Sequence, residues 1–452
     1  MNRIGLVCPV ASGHLNPMTT LGRALKRRGH RVSLFAFPDG AYKARSAGLG
    51  FHPIGENDLP EGTVPRQMEV QGGLAGREAL AFAVERYRFY SQVLLRDAPD
   101  VIKKSGVEGL LVDEGFPAAF AVAETLQLPW VTVSNAVAFL EESAMPPFTT
   151  SFPYDPTPGG RARNQQVYSA MEQLTNPIRL LINLYREQWK LTPTNSYCER
   201  RSPLAHITQQ PAVFDFPRES RPRNFHYTGP FFDAESGDDT GFPFDRLDGR
   251  PLIYASMGTI NNRLYHLFPM FMQACEGLDA QVVLSLGKKG QTIPFEIPGD
   301  CKVVSYAPQR ELLKRASLVI THAGLNTVLE ALTYGVPMTA IPVTGDQPGV
   351  GARIAYLGVG ESIPLAELTL ERLKTTVHRV WNGTSYRERA RQVREEIART
   401  NGLELAADIV EQALSTGKPV WHDDGVGAPD RGPQAWSNSR LSSTETAALH
   451  ES

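Results

Sequence analysis

The segment from residue 305 to residue 352 constrains the fold of this chain more than any other. It contains a short apolar run, Ser317 to Ile320, whose length and polar flanks predict a buried strand. A turn of small residues, Thr321 to Gly324, comes next, followed by an apolar pattern of helical period that a Gly-Val-Pro sequence ends. Met338 to Pro342 predicts a second strand. The segment therefore predicts one unit of an α/β protein with a parallel sheet.

The turn in this segment has the features of an anion site. The first N–H groups of a helix have no partner within the helix, and the helix dipole is positive at that end. Asn326 or Thr327 is expected to cap the helix, and His322 adds another donor. Gly324 lets a bound group approach the backbone closely. The pattern therefore predicts a phosphate-binding site.

Groups suited to sugar hydroxyls follow this turn. Glu330 lies in the predicted helix and can accept hydrogen bonds from ribose. Asp346 and Gln347 lie in the loop that is expected after the second strand, and suit a sugar with several hydroxyls. Each residue taken alone could equally be a cap, a turn residue or a surface charge. The ordered set within one unit favours a sugar-nucleotide site.

These residues resemble the donor-binding signature of the UDP-dependent glycosyltransferases. The resemblance implies an inverting enzyme of GT-B architecture, an α/β fold of two Rossmann-like βαβ domains that face each other across a cleft. The version here is similar to the bacterial branch with zeaxanthin and macrolide glycosyltransferases, and Tyr306 and Leu325 replace two tryptophans of the plant form. A tyrosine still stacks on a base. The donor-binding positions in this segment are Tyr306, Ala307, Gln309, His322, Gly324, Asn326, Thr327, Glu330, Asp346 and Gln347.

A histidine follows the first predicted strand of the chain, Arg3 to Pro9. The next helix is expected to begin near Pro17, and the turn before it lacks the GxGxxG pattern of dinucleotide sites. His14 then lies at the carboxyl end of a strand, where open α/β sheets bind ligands. An imidazole titrates near neutral pH and can take a proton from a hydroxyl. A helix cap is the alternative, but the GHLNP sequence resembles the catalytic GHxxP of the family, which implies that His14 is the general base.

A carboxylate is expected beside this histidine. Val107 to Val112 predicts a strand that ends at Asp113, on the same sheet edge as His14. An aspartate there would fix the tautomer of the imidazole and stabilise its cation by more than the helix dipole opposes it. The resemblance carries the catalytic pair of the family to His14 and Asp113, and a cap of the helix expected from Pro117 to Leu126 is the alternative role for Asp113.

Loops and helices of the first half are expected to form the walls of an acceptor cleft. Residues 59–76 and 141–160 predict loops, and residues 78–104 and 163–191 predict helices. Four aromatic residues are candidates for an apolar acceptor lining, and ordinary core positions are the alternative for each. They are Phe116, Phe139, Phe148 and Trp189.

Composition divides the chain into two domains. Residues 1–232 predict an N-terminal, acceptor-binding Rossmann-like domain, and residues 250–415 a C-terminal domain that binds the nucleotide sugar. Between them, residues 233–249 are acidic and glycine-rich and predict a linker. The pair Asp238-Asp239 in this linker is interpreted as a solvated turn and not as a metal site. Residues 416–452 predict a disordered tail.

The second domain opens with another candidate phosphate contact. A strand is expected from Leu252 to Ala255, and the turn after it, with Ser256, Gly258 and Thr259, offers hydroxyls and free amides at a helix entry. It resembles the serine-glycine turn of the family. Further helices are expected at residues 368–380 and 386–414, in addition to those above. The resemblance implies that the last one crosses back to the first domain.

Charge and composition narrow the function further. A formal net charge of −2 argues against a nucleic-acid partner. Four scattered cysteines without a CxxC pair predict reduced thiols in a cytoplasmic protein. The chain lacks an apolar run of about 18 residues, so no stable membrane insertion is expected. It also lacks a D-x-D motif, so no metal is expected at the diphosphate.

The combined prediction is an inverting glycosyltransferase without a cofactor other than the UDP-sugar co-substrate. It would move a hexose, glucose by resemblance, to a hydroxyl of a small lipophilic or aromatic acceptor, with His14 as base and Asp113 as its partner. A GT-B-fold nucleotide-sugar epimerase, a lipid-acceptor transferase at a membrane surface and a non-catalytic sugar-nucleotide binder are the alternatives. The acceptor stays open among carotenoids, macrolides, terpenoids and flavonoids.

Overall fold

Two parallel sheets form the centres of two domains in the computed structural model of this chain. The structure describes residues 2–74, 76–197, 199–233, 241–259, 264–288, 290, 292–293 and 301–422. Every strand pairing in this part is parallel, and helices connect most of the consecutive strands. The predicted α/β class with two Rossmann-like domains is therefore confirmed. The pair Asp238-Asp239 lies outside the described residues.

The sheet of the first domain has seven strands in the described part, in the order β3-β2-β1-β4-β5-β6-β7. The strands are β1 Arg3–Val7, β2 Arg31–Ala36, β3 Gly50–Pro53, β4 Gly109–Asp113, β5 Trp130–Ser134, β6 His206–Thr208 and β7 Phe225–Tyr227. The helices are α1 Ser12–Arg27, α2 Ala41–Ser46, α3 Thr63–Gln71, α4 Gly76–Ser105, α5 Ala118–Thr125 and α6 Pro158–Gln188. Short 3-10 turns lie at Pro38–Gly40 and Ala212–Phe214. Strand β4 is buried along its whole length, as expected of a central strand covered on both faces.

The sheet of the second domain has six strands in the described part, in the order β10-β9-β8-β11-β12-β13. The strands are β8 Leu252–Ser256, β9 Gln281–Ser285, β10 Cys301–Val304, β11 Ala316–Thr321, β12 Met338–Ala340 and β13 Gly360–Ser362. The helices are α7 Leu267–Ala274, α8 Gln309–Leu313, α9 Leu325–Tyr334, α10 Gln347–Leu357, α11 Leu370–Asn382, α12 Thr384–Ile397 and α13 Gly402–Thr416. Short 3-10 turns lie at Phe244–Arg246 and Leu365–Glu367.

Strand β11 shows why its sequence is apolar without alternation. Leu318 and Ile320 point into the core beneath α7 and α11, whereas Val319 points into the core beneath α9, α10 and α12. Successive side chains of a strand face opposite sides, so a strand with helices on both faces needs an apolar residue at every position. The predicted buried strand is confirmed, and it is longer than predicted by one residue at each end.

Helix α13 packs on the first domain. Residues Leu403, Ala406, Val410 and Ala413 belong to the core of that domain, beside α1 and β5. Residues 417–422 follow it on the same surface, where the N–H of Val420 donates to the carbonyl of Leu204 at 2.8 Å. The prediction of a disordered tail from residue 416 is therefore wrong for residues 417–422, and residues 423–452 lie outside the described part.

Three helix predictions are corrected by the structure. Helix α3 lies within the predicted loop 59–76, because the carboxylate of Asp39 accepts the free amides of Gly62 and Val64 at the start of the helix. Helix α10 begins in a predicted loop, with Asp346 as its N-cap residue and proline in its first turn, which is also a helix-start pattern. The predicted helix 386–414 is two helices, because Asn401 caps α13 with its side chain.

The described helices and cysteines bear on two expectations from composition. No helix in the described ranges is both long enough and apolar enough to cross a membrane. Cys8 and Cys275 are free thiols. Burial raises the pKa of Cys8 and of Cys275, so both thiols stay protonated at neutral pH.

Candidate active site

The carboxyl edges of the two sheets face each other, and the loops that leave them are in direct contact. The side-chain amide of Asn326, at the start of α9, donates to the carbonyl of Gly13 at 3.1 Å. The N–H of Val137, in the loop after β5, donates to the carboxylate of Asp346 at 3.1 Å. The cleft between the domains therefore contains the predicted residues of both halves, as open α/β sheets place their ligands.

His14 and Asp113 form a close pair in this cleft. Nδ1 of His14 lies 2.8 Å from Oδ2 of Asp113, whose side chain is 1% exposed while that of His14 is 19% exposed. The carboxylate is also held by the N–H of Gly115 at 2.7 Å and by the amide of Asn135 at 2.5 Å. A proton on Nδ1 is favoured by the carboxylate, which leaves Nε2 as the basic nitrogen.

Burial and two carboxylates set the pKa of His14. Burial lowers the pKa, whereas the charge and hydrogen bond of Asp113, together with the charge of Asp346, raise it above the ordinary value. The expectation was that the carboxylate outweighs the helix dipole; the pKa is raised as expected, but the opposing cause is burial. Asp346 belongs to the second domain, so the basicity of His14 depends on both halves of the molecule.

Helix α1 begins at Ser12 and not near Pro17, so His14 lies in the first turn of a helix. Pro17 is inside this helix and has no N–H, so it cannot bond the carbonyl four residues earlier, which is that of Gly13. The carbonyl of Gly13 is the one that accepts the amide of Asn326 across the cleft. Proline at this position therefore gives the first domain an acceptor for the second.

The predicted donor-binding residues follow four of the six described strands of the second sheet, β8, β10, β11 and β12, all at its carboxyl edge. Tyr306, Ala307 and Gln309 follow β10, and Asp346 and Gln347 follow β12. The remaining ones are Ser256, Gly258 and Thr259 after β8, His322 and Gly324 after β11, and Asn326, Thr327 and Glu330 in α9. The first described helix after the Ser256 turn begins at Leu267, so this turn does not lead directly into it as expected.

His322 is enclosed by two glycines. A Cβ atom on Gly258 would lie 2.5 Å from the imidazole Cε1, and one on Gly324 would lie 2.6 Å from Nε2. Gly258 also has a φ of +70°, which favours glycine. Burial lowers the pKa of His322 to about 4, with the backbone of Ser256 acting in the opposite direction. His322 is therefore neutral near pH 7, and it can offer an N–H group but no positive charge.

The residue after His322 has an unusual backbone. Ala323 is fully buried with a φ of +63°, a conformation that residues with a Cβ atom rarely adopt. Its N–H donates to the hydroxyl of Thr321 at 3.2 Å. Helix α9 then begins after Gly324, which is its N-cap residue, so neither Asn326 nor Thr327 caps it as predicted. The amides at the start of this helix have no side-chain cap and are suited to an anion.

Gln309, Thr327 and Glu330 form one polar cluster. The amide nitrogen of Gln309 lies 3.3 Å from the hydroxyl of Thr327 and donates to the carboxylate of Glu330 at 2.7 Å. The hydroxyl of Tyr254 donates to the amide oxygen of Gln309 at 3.3 Å. Tyr306, partly exposed, follows the same strand as Gln309. The cluster offers a carboxylate, an amide and a hydroxyl in the place expected for a ribose.

Asp346 and Gln347 lie where α10 meets the cleft. The amide oxygen of Gln347 accepts the N–H groups of Val343 and Thr344 at 2.9 and 3.0 Å, so it fixes the shape of its own loop. Burial raises the pKa of Asp346, while the N–H of Val137 and the charge of His14 lower it. Asp346 therefore contacts the acceptor side of the cleft in addition to the expected sugar side.

The four acceptor candidates fall into two groups. Phe139 and Phe148 are partly exposed and stacked, with ring centroids 4.4 Å apart, and both line a small cavity next to Met145. Phe116 is 2% exposed and packs edge-on against a ring in the core of the first domain, so its alternative role as a core residue is the one observed.

Trp189 does not lie at the cleft. Arg186, one turn earlier in the same helix, forms a double hydrogen bond with Glu124 at 2.8 Å. Glu124 is in the last turn of α5, the end remote from Asp113. The tryptophan packs against Tyr185 with ring centroids 5.5 Å apart. Helix α6 runs away from the cleft, so only its first turns border the acceptor loops, and the prediction for Trp189 is wrong.

Sequence reasoning missed the group that holds the loop of Phe139. The buried carboxylate of Glu114 accepts the N–H of Phe139 at 3.0 Å and the guanidinium of Arg201 at 2.7 Å. Arg201 in turn donates to the carbonyl of Phe139 at 2.6 Å. His206 and Arg201 hold the pKa of Glu114 well below its usual range, although burial acts to raise it. The loop of Phe139 is therefore hydrogen-bonded to a carboxylate that stays ionised.

Two further residues of the cleft, Asn135 and Gln209, were also missed. The amide of Gln209 donates to the carbonyl of Asn135 at 2.7 Å and to the side-chain oxygen of Asn326 at 2.8 Å. Asn135 follows β5 and Gln209 follows β6. Polar residues directly after buried parallel strands were the available signal, because all such positions meet at one sheet edge.

Two Rossmann-like domains that face each other across this cleft have the GT-B architecture, and the comparisons with known proteins identify the family. Residues 270–412 match the family model "Erythromycin biosynthesis protein CIII-like, C-terminal domain". The chain is 30% identical over 428 residues to the zeaxanthin glucosyltransferase of Pantoea ananas, covering 94% of this chain and 99% of that protein. The chain belongs to the UDP-glycosyltransferase family, and it is an enzyme that transfers a sugar from a nucleotide sugar.

Solved structures show the same fold. The glycosyltransferase of kitacinnamycin superposes with a TM-score of 0.69 at 22% identity, covering 91% of this chain and 99% of that chain. The glycosyltransferase VinC in complex with dTDP superposes with a TM-score of 0.63 at 19% identity, covering 92% and 100%. At sequence identities of 22% and 19%, these two structures show that the fold is shared.

Proposed function

We propose that this enzyme is an inverting hexosyltransferase that uses His14 as the general base on a hydroxyl acceptor. The observation that carries the proposal is the pair of His14 and Asp113 at 2.8 Å, placed opposite the donor edge of the second domain. With Nδ1 bonded to the carboxylate, Nε2 takes the acceptor proton, and the carboxylate stabilises the imidazolium that forms. A base on one side of the sugar and a leaving group on the other give inversion.

The leaving nucleoside diphosphate would be stabilised by fixed donors of the second domain. The uncapped start of α9, the Ser256 turn and the N–H of the neutral His322 supply hydrogen bonds at the place where charge develops. These donors support a transfer without a metal. Gln309 and Glu330 suit the ribose, and Asp346 with the amide nitrogen of Gln347 suits the sugar hydroxyls.

The acceptor we propose is a lipophilic or aromatic molecule with a free hydroxyl. The stacked pair of Phe139 and Phe148 presents partly exposed apolar surface within the acceptor loops. The relative from Pantoea ananas is named for zeaxanthin, a carotenoid, which adds support for a flat apolar acceptor. We propose glucose as the sugar because that relative is named a glucosyltransferase, and UDP as the carrier because the family is that of the UDP-glycosyltransferases.

The test is a matrix of purified enzyme, donors and acceptors. UDP-glucose, UDP-galactose and dTDP-glucose are each combined with a carotenoid diol, a macrolide, a terpenoid alcohol and a flavonol, and products are identified by mass and by NMR at the anomeric carbon. We expect a β-glucoside from UDP-glucose with an apolar acceptor. Retention of the anomeric configuration would contradict the proposal, and so would epimerisation of the UDP-sugar without an acceptor.

A further inference from the structure

A chain of hydrogen bonds begins at His14, passes through both domains and returns to the residue before His14, so that it forms a closed ring. From His14 it runs to Asp113 at 2.8 Å and from Asp113 to the amide of Asn135 at 2.5 Å. From the carbonyl of Asn135 it continues to Gln209 at 2.7 Å and from Gln209 to Asn326 at 2.8 Å. The amide of Asn326 closes the ring on the carbonyl of the residue before His14 at 3.1 Å.

Gln209 occupies the position in this ring where the domains meet. Its side chain is buried, and its single amide nitrogen donates one hydrogen to the first domain, at Asn135, and the other to the second, at Asn326. An amide nitrogen has two hydrogens, so both are used. Gln209 therefore cannot keep both bonds unless α9 has closed on the first domain.

Asn326 joins the ring to the donor side. Its oxygen accepts from Gln209, and one of its two N–H groups donates to the carbonyl of Gly13, which is available because Pro17 lacks an N–H. The second N–H of Asn326 takes no part in the ring, and the residue lies in the first turn of α9, where backbone amides suit an anion. One side chain thus connects the diphosphate end of α9 to the backbone that carries His14.

We propose that Gln209 is a positioning residue that couples closure of the donor-binding domain to the alignment of His14 with the acceptor hydroxyl. The inference rests on the proposed function, because it assumes that His14 is the base. When α9 closes on the first domain, Gln209 and Asn326 fix both the segment before His14 and, through Asn135, the carboxylate behind it. When the domains open, the bond from Gln209 to Asn326 is lost, and the imidazole is held by Asp113 alone.

The test uses Gln209→Met, which keeps the length of the side chain and removes both donors. Release of UDP from UDP-glucose is measured with the acceptors above and with water alone, for the wild type, Gln209→Met, Asn326→Ala and the double variant. We expect Gln209→Met to lower kcat on the order of tenfold while KM for UDP-glucose changes less than about threefold, the pattern of lost alignment and not of lost binding. The double variant should lose little more than Asn326→Ala alone, because the two residues act as one contact.

Gln210→Met is the matched control. Gln210 is as buried as its neighbour, and its oxygen accepts the N–H of Ala138 at 3.0 Å, a bond within the first domain. Its effect should be additive with that of Asn326→Ala. If Gln209→Met proves too unstable to purify, Gln209→Glu serves instead, since it keeps the shape but places an acceptor against two carbonyl-type oxygens.

The outcomes separate the two proposals. If His14→Ala abolishes UDP release while Gln209→Met keeps kcat within about twofold, or is fully additive with Asn326→Ala, the coupling role is overturned and the proposed base remains. If His14→Ala keeps wild-type release, the proposed function fails whatever Gln209 does. If the kcat loss of Gln210→Met is also non-additive with that of Asn326→Ala, the non-additivity reflects a merely structural role, and the coupling is overturned.

Discussion

Two of the contacts between the domains of this glycosyltransferase differ in chemistry. On the side of α10, Arg353 forms two hydrogen bonds with Asp215 at 2.7 and 3.0 Å, and both side chains are 2% exposed. On the side of α9, the contacts of Asn326 with Gly13 and Gln209 are neutral hydrogen bonds beside the partly exposed His14. One contact is charged and dry, and the other is neutral and open to the substrates.

This difference predicts which side opens. Separating Arg353 from Asp215 leaves the buried guanidinium of Arg353 without its carboxylate, although Arg218 still pairs with Asp215. A neutral hydrogen bond can be exchanged for one with water at a net cost of about 0.5–1.5 kcal/mol. Arg353 also lies over the ring of Phe216, with 4.5 Å between the guanidinium carbon and the ring centroid. We therefore expect the cleft to open at α9 and to stay closed at α10, and not to open evenly about the linker.

The largest expected effect is on catalysis at the open side. His14→Ala should lower the transfer rate by about 10² to 10⁴, the usual contribution of a general base, while the affinity for UDP stays nearly unchanged. Turnover of UDP-glucose and calorimetric titration with UDP measure the two quantities. His30→Ala is the control, because His30 lies at the other end of α1, against Glu411 at 2.7 Å. A variant of His14 with wild-type turnover would remove the main role assigned to the open side.

The second prediction concerns the buried ion pair. Burial acts to raise the pKa of Asp215, but the charges of Arg218 and Arg353 hold that pKa well below its usual range. Asp215→Ala would leave both guanidinium groups buried without their carboxylate, and should lower the free energy of unfolding by about 3–5 kcal/mol. Denaturation by urea measures this. Glu367→Ala, which removes an exposed partner of Arg372, should cost less than about 1 kcal/mol. Equal losses for the two variants would show that burial of the pair is unimportant.

The third prediction adds a methyl group to the closed side. The N–H of Gly349 donates to the carbonyl of Phe148 at 2.9 Å, and a Cβ atom there would lie 2.6 Å from that oxygen and 2.7 Å from Cα. Gly349→Ala should push α10 away from the acceptor loop and cost about 1–3 kcal/mol of stability. We also expect a higher KM for the acceptor than for the donor. Gly73→Ala, whose new atom would lie 3.5 Å from its nearest neighbour, is the control. An unchanged thermal midpoint for Gly349→Ala would mean that the two segments are not packed as described.

The smallest effect is a shift in pH dependence that joins the two sides. The base must be neutral, so turnover should fall as the pH drops through the raised pKa of His14, and the midpoint of this acid limb should lie above the ordinary histidine value. The charge of Asp346 contributes to the raised pKa, so Asp346→Asn should move the midpoint of kcat to lower pH. Asp346→Asn also alters a group proposed to bind the sugar and can lower the rate for that reason. The quantity to compare is therefore the midpoint pH of the acid limb and not the rate. A midpoint that does not move would place Asp346 outside the field of His14.

Some parts of the site could be predicted from short stretches of sequence. The strand–turn–helix pattern around His322 and the GHLNP turn depend on local spacing, and their edge positions follow from the parallel sheet. Helix bounds were less predictable where a distant group decides them. The loop of α3 becomes a helix because Asp39, more than 20 residues away, accepts its first amides. Trp189 was misplaced because periodicity locates a helix but not the direction in which it leaves the cleft.

The sequence by itself determined the two α/β halves, the strand–turn–helix segment predicted to bind the donor, and the histidine with its candidate carboxylate. Apolar period, turn residues and strand ends are local properties. Only the tertiary structure decided which polar residues meet. Asn135, Gln209 and Asn326 are separated by 74 and 117 positions and become one hydrogen-bonded set because two sheet edges close on each other. The pair of Asp215 and Arg353 was equally invisible, because a charge in a sequence shows its partner only when folding removes the water between them.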